Sequence, residues 1–191
     1  MGLHFFWERE IVLFTDDELY KSFIAGDRTC LDELMLRYGD SLICYLYGYL
    51  KSMEDAEDLM IDTFARLMVK RPSIKNGCFK AYLYKIARNL AARHYTRQHR
   101  AEVFSMDGLE TEPEGAELIE DTVLSSEKKH ILNMCLDSIN PQLKEALWLV
   151  YVEDLSYAQA AEVMRISVKK LDHLLQKGKK ELKSELVKEG I

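Results

Sequence analysis

Glycine and proline are scarce, with 9 and 3 in a chain of 191 residues. All-β sandwiches and barrels need frequent tight turns, so this poverty of turn formers excludes them and favours long helices. No apolar stretch approaches the roughly 20 residues that a membrane-spanning helix requires. Cysteine is sparse and scattered: Cys30, Cys44, Cys78 and Cys135 show neither C-x-x-C nor zinc-ligand spacing. Reduced, packed thiols in a cytoplasmic protein are expected from them, not a disulfide framework or a metal site. The opening residues 1–10 have no basic segment ahead of an intact apolar core, so they do not read as a secretory signal. Catalytic signatures are missing as well. There is no P-loop, GxGxxG, HExxH or GxSxG, and His4, His94, His99, His130 and His173 have no partner at metal-ligand spacing. Nothing calls for a cofactor, and the chain reads as a non-enzyme.

What is present is 48% hydrophobic and 30% charged residues, the balance of a soluble globular protein. The net charge of −6 is distributed unevenly. Residues 1–62 hold 14 acidic and 5 basic side chains; residues 63–100 hold 10 basic and no acidic ones; residues 101–126 hold 8 acidic and no basic ones. From 127 onward the two signs nearly balance, 11 against 10. A long basic block between two acidic ones is arranged for local fields, whatever the total. The acidic stretch 101–126, with Gly108, Pro113 and Gly115 and no clean apolar period, reads as a linker. An all-α architecture follows: a helical domain over 1–100, the acidic linker 101–126, and a smaller helical domain over 127–191.

Local signals place the helices. Thr15 with Glu18 three residues on is a capping box that opens the first. Gly26-Asp27 closes it. A second helix is expected to end near Gly39 and a third to run from Ser41 to about Lys51. A fourth runs from Met53 or Glu54 to Lys70, and a fifth from Phe79 to about Gln98, with Pro72 and Gly77 bracketing the loop between them. In the second half one helix spans about Glu127 to Asp137. Asn140-Pro141 is an N-cap followed by proline at the first helical position. Ser156 and Gln159 form another capping box, and Ser167 caps a last helix reaching about Val187. The apolar residues Phe5, Phe6, Trp7, Ile11, Val12 and Leu13 are expected to pack on one of the domains.

Three constellations carry function. On the fifth helix, Phe79, Tyr82, Leu83, Ile86, Ala87 and Leu90 fall on one face at 100° per residue, and Lys80, Tyr84, Lys85, Arg88, Tyr95 and His99 on the opposite side. Solvated faces ordinarily mix signs. A single-sign stripe with aromatics among the cations suits single-stranded nucleic acid, with cations for phosphates and rings for bases. In the second constellation, a capped helix from Ser156 to Met164, a short turn at Arg165-Ile166 and a basic helix read as helix-turn-helix. Val168, Leu171, Leu175 and Leu182 are expected to point inward there. Lys169, His173, Gln176, Lys177 and Lys180, with Lys170 beside them, would face a major groove. A plain helical hairpin remains the bland alternative. The third is Asp55, Glu57, Asp58 and Asp62, four carboxylates opening a helix where the dipole favours them.

In this order, the three constellations resemble the extracytoplasmic-function sigma factors, bacterial transcription initiation factors of the sigma-70 family. The resemblance rests on Asp16-Asp17-Glu18-Leu19 with Ala25-Gly26-Asp27; on Asp55-Ala56-Glu57-Asp58-Leu59 with Thr63-Phe64 and Arg66-Leu67; on Phe79 through Leu90; and on Tyr151 through Tyr157 with the helix-turn-helix after it. It covers about Asp16 to Val187 except the linker. Ile61 departs from a usual glutamine, Met68 from an aromatic, Arg165 from the turn glycine and Leu174 from an arginine, and Asp172 adds a carboxylate near the expected DNA surface.

The resemblance implies a sigma region 2-like domain whose residues Asp55, Asp58, Leu59, Asp62 and Phe64 bind core RNA polymerase. Arg71, Ser73, Lys75, Asn76, Lys80, Tyr84, Lys85 and Arg88 would capture the minus-ten strand, with the loop at 71–78 reading a flipped base. A region 4-like domain would read the minus-thirty-five element through Lys169, Lys170, His173, Gln176, Lys177 and Lys180. Core polymerase, promoter DNA and an anti-sigma factor are the implied partners. Two rivals stay open on the residues alone: an ordinary helix-turn-helix regulator, and a degenerate sigma homologue acting through protein contacts only.

Overall fold

The computed structural model describes residues 14–104 and 134–189, and among these residues there are helices and no strands. The apolar residues 5–13 and most of the expected linker lie outside them. α1 (Asp16–Ala25) opens on the expected capping box, with Thr15 accepting from the Glu18 amide and Glu18 accepting from the Thr15 amide. Gly26 at φ 118° ends it in the left-handed region, where only glycine is unstrained.

α2 (Thr29–Leu50) corrects the expected break at Gly39. The helix runs straight through, because Leu31, Leu34, Tyr38, Leu42, Tyr45 and Leu46 continue one buried face past it. A glycine costs a helix about 1 kcal/mol, less than a continuous buried face supplies. α3 (Met53–Lys70) is capped by Ser52 and lays Ala56, Leu59, Thr63, Phe64 and Leu67 against α2. α4 (Phe79–Phe104) is longer than expected and takes in the first four residues assigned to the linker. It packs on α1, α2 and α3.

In the second unit, residues 134–138 are helical, the end of the helix expected over Glu127 to Asp137. α5 (Pro141–Leu147) starts at the Asn140 cap, whose side chain accepts from the Gln142 amide. It then widens into a π-helical turn at Trp148–Val152. α6 (Tyr157–Met164) carries the Ser156–Gln159 capping box. Arg165 ends it at φ 55°, with Ile166 N–H donating to the Ala161 carbonyl at 3.0 Å. That is a left-handed cap, at a position where a glycine would sit more easily. α7 (Val168–Lys188) is capped by Ser167 and crosses α5 and α6. Leu171, Leu174 and Leu175 are buried and Leu182 is half-buried, whereas Val168, expected inward, is 48% exposed at the first turn.

Candidate nucleic-acid interface

The stripe on α4 is not a free surface. α4 lies between the first unit's core and α6 of the second. A helix buried on two sides has no single polar face, so the amphipathic reading fails in detail. Tyr84, expected to project outward, is fully buried; its hydroxyl donates to Ser41 Oγ at 3.1 Å and its ring meets Tyr45 edge-on. Burial pushes its hydroxyl pKa far up. Tyr82 and Ile86, expected in the core, are only half-buried.

The three cations of the stripe each meet a carboxylate of the second unit. Lys80 Nζ lies 3.1 Å from Glu153 Oε2, Lys85 Nζ donates to Glu162 Oε1 at 2.7 Å, and Arg88 Nε donates to Glu145 Oε1 at 2.6 Å. Glu145 and Glu153 are buried. Glu145 also accepts from the Tyr45 hydroxyl, and Glu153 from the Trp148 indole at 3.1 Å. The π-helical turn, closed by the Glu153 amide on the Trp148 carbonyl, helps set that carboxylate in place. Burial works against the Arg88 charge, but the Glu145 hydrogen bond and charge outweigh it and raise the pKa. Two further links brace the joint: Lys51 to Asp137 at 2.9 Å, and Gln159 Nε2 to the Gly77 carbonyl at 2.7 Å. Beside them a small open cleft of about 100 Å³ runs between Cys44, Gly48 and Tyr49 on α2 and Pro141 and Trp148 opposite.

The loop between α3 and α4 is held at its ends and open in its middle. The Tyr20 hydroxyl donates to the Pro72 carbonyl at 2.7 Å, and the Gly77 amide donates to Asp17 at 2.6 Å. Gly77 takes φ 73°, a left-handed conformation that favours glycine. Ser73, Lys75 and Asn76 are exposed, and the Arg71 guanidinium lies over the Phe23 ring.

On α7, Lys169, Lys170, His173, Gln176, Lys177 and Lys180 are all exposed, as expected. Asp172 accepts from Gln176 Nε2 at 2.8 Å, one turn along. Lys179, which the sequence reading passed over, sits 4.5 Å from the Tyr151 ring centre. Its hydrogen bond lowers the Tyr151 pKa.

On α3, Asp58 and Asp62 are exposed and Asp55 is half-buried, 3.4 Å from His94 Nε2. Leu59 and Phe64 lie in the core and present nothing to a partner in this arrangement. The apolar part of the exposed face is Ile61, Met68 and Val69, which sequence reasoning did not assign to it. The signal was there, since all three fall outside the period of Ala56, Leu59, Thr63 and Leu67. Glu145, Glu153 and Glu162 were missed too. Glu145 could have been noticed as a carboxylate among Leu143, Ala146 and Leu147, but nothing local says what it faces.

Comparison with known proteins agrees with this architecture. Residues 34–101 match the family model for sigma-70 region 2 and residues 129–182 that for sigma-70 region 4, together more than half of the chain. Over 158 residues the chain is 29% identical to the ECF RNA polymerase sigma factor SigM of Bacillus subtilis, covering 81% of this chain and 93% of that protein. It is 32% identical over 150 residues to the ECF RNA polymerase sigma factor BldN of Streptomyces coelicolor, covering 77% of this chain and 56% of that one. Among solved structures, that of the sigma factor RpoE in complex with the anti-sigma factor NepR from Bartonella quintana shares the fold, with a TM-score of 0.63 at 23% identity over 81% of this chain and 95% of that one. With both family regions matched in order and the helix-turn-helix inside the second, the chain belongs to the extracytoplasmic-function group of the sigma-70 family, and is a promoter-directing, non-enzymatic sigma factor of RNA polymerase.

Proposed function

We propose that the chain divides into a minus-ten unit over 1–100, a linker over 101–126 and a minus-thirty-five unit over 127–191, and that each unit handles one promoter element. The observation that carries this reading is the pair of cationic helices, one per unit: α4 with Lys80, Lys85 and Arg88, and α7 with an exposed face of lysines around His173 and Gln176. Duplex recognition belongs to α7, because a capped helix-turn-helix presents its second helix to a major groove. Capture of the opened non-template strand belongs to α4 and to the loop at 71–78. There Ser73 and Asn76 offer donors and acceptors to an extruded base and Lys75 reaches phosphate. Tyr84 supports this face from inside and takes no base in the present arrangement.

Core polymerase binds the exposed face of α3 through Asp58, Asp62 and Asp55, with Ile61, Met68 and Val69 supplying apolar contact. Leu59 and Phe64 shape that face from beneath. An anti-sigma factor is a further partner, as it is for the Bartonella sigma factor. Among the described residues no helix is long and apolar enough to cross a membrane, and a cytoplasmic site of action fits a partner of RNA polymerase. The test is co-purification. Asp58→Lys with Asp62→Lys, both exposed, should leave the fold intact and weaken capture by core polymerase, since like charge at an interface costs several kcal/mol. Unchanged capture would remove α3 from the polymerase contact.

A further inference from the structure

α1 has no part in the proposed function, yet one side of it carries the loop that would read a flipped base. Asp17, Tyr20 and Phe23 are spaced by three and so share a side of the helix. Each holds a different point of the loop. The Arg71 guanidinium lies 5.3 Å from the Phe23 ring centre, the Tyr20 hydroxyl donates to the Pro72 carbonyl, and Asp17 accepts from the Gly77 amide at 2.6 Å. Tyr20 is buried, and its ring meets that of Phe79, the first residue of α4, at 5.3 Å. Burial pushes its hydroxyl pKa up to about 12, so it stays a donor through neutral and mildly basic pH. Between these anchors Ile74 packs on the core, and Ser73, Lys75 and Asn76 are left exposed.

The hold on Gly77 decides a conformation. The Cys78 amide donates to the Lys75 carbonyl at 3.0 Å, which closes a turn with Asn76 and Gly77 at its centre. Gly77 has a positive φ of 73° and Asn76 has not, the pattern of a type II turn. Glycine takes φ of either sign about as readily. The pair alone therefore admits a type I turn as well, in which the central peptide is turned over. In a trans peptide the N–H and C=O point opposite ways. With the Gly77 N–H turned to Asp17, the Asn76 carbonyl points away from α1, and a flip would exchange the two. The carboxylate thus selects the face on which the loop shows a backbone acceptor beside the Asn76 amide. A hydrogen bond to an ionised group is roughly twice as strong as a neutral one, which suits a hold on an exposed turn. Gln159 takes the Gly77 carbonyl, but that group belongs to the next peptide and leaves the choice to Asp17. We propose that α1 sets promoter specificity without touching DNA: Asp17 and Tyr20 are positioning residues that fix the turn at 75–78 in the conformation that reads the extruded base. The inference rests on the reading of this loop as the part that meets the base.

Holoenzyme assembled from core polymerase and the full chain is given promoter fragments randomised through the minus-ten element, and the fragments opened are sequenced. Asn76→Ala first identifies the position that the loop reads. There Asp17→Ala should lower discrimination about fivefold, the loss expected if about a fifth of the molecules keep the reading form. Asp17→Asn retains an acceptor oxygen and should keep the preference. Tyr20→Phe removes one oxygen, leaves the ring packed, and should lower discrimination at the same position. Asp17→Ala combined with Asn76→Ala should match Asn76→Ala alone, because Asp17 acts through the turn. Thermal unfolding, capture by core polymerase and preference elsewhere in the promoter should stay as they are. An unaltered profile in Asp17→Ala and Tyr20→Phe overturns the positioning role, and so does an even loss at every position. A loss in Asp17→Asn equal to that in Asp17→Ala also overturns it, since charge and not the acceptor would then act. If Asp17→Ala does not fold, Tyr20→Phe decides alone. Failure of the underlying reading looks different: Asn76→Ala and Ser73→Ala would themselves leave the minus-ten profile unchanged.

Discussion

On α7 two kinds of side chain share one exposed face and contribute differently. Lys177 and Lys180 carry charge that can reach phosphate, and phosphate contacts add affinity without sequence information. Lys177→Ala and Lys180→Ala should each weaken binding to every duplex alike and lower the salt dependence by about one unit of slope. Filter binding across a salt series reads both. Gln176 is held differently. A carboxylate only accepts, so its hydrogen bond to Asp172 fixes which end of the amide faces that residue. The pair then offers more acceptors than donors to a groove, which suits the amino group of cytosine or adenine and opposes guanine, whose edge only accepts at O6 and N7. Gln176→Ala or Asp172→Asn should relax preference at one minus-thirty-five position and leave the others alone. A selection from randomised duplexes with enrichment of guanine at that position would contradict the assignment.

Among elements, α5 and α7 cross closely at Gly178. A Cβ added at Gly178 would stand 3.2 Å from Leu147 Cδ1 and 3.4 Å from Leu143 Cβ, both in buried side chains. Alanine there gains about 1 kcal/mol of helix propensity and meets overpacking of about 1–3 kcal/mol. Gly178→Ala should thus lower stability modestly and Gly178→Leu severely, as thermal unfolding would show. Signals one turn long were legible in the sequence. Both capping boxes, the Asn140-Pro141 start and the end of α3 at Lys70 needed only local chemistry, and all appear. Signals that depend on what a helix packs against were not. Gly39 looked like a stop because propensity was read without the buried face that spans it. Tyr84 looked exposed because α4 was given one apolar neighbour when it has two, and the carboxylates that cover its cations lie 57 to 77 residues away in the chain. The exposed face of α7 was legible because that helix has one core side.

For the whole molecule the joint sets a pH signature. Burial would raise the Asp137 pKa, but the hydrogen bonds from Lys144 and Lys51 outweigh it and hold that carboxyl below its ordinary value. A depressed carboxyl contributes its stabilisation above the unfolded value, about 3.9, and loses it as pH falls through the lower folded value. The Lys51–Asp137 link should therefore be constant from neutrality to about pH 5 and disappear only in stronger acid. Energy transfer between the units at low salt, in the unaltered chain against Asp137→Asn, reads this, and a midpoint near pH 6 would point to another group. Two cationic helices on separate units should direct polymerase to a two-element promoter. Run-off transcription from a library of promoter fragments, using core polymerase with and without the full chain, is the decisive measurement. Transcripts should require the chain, start downstream of a shared pair of elements, and be lost when Lys80 and Arg88 are replaced by alanine. Transcripts indifferent to the chain, although it binds core polymerase, would exclude this role.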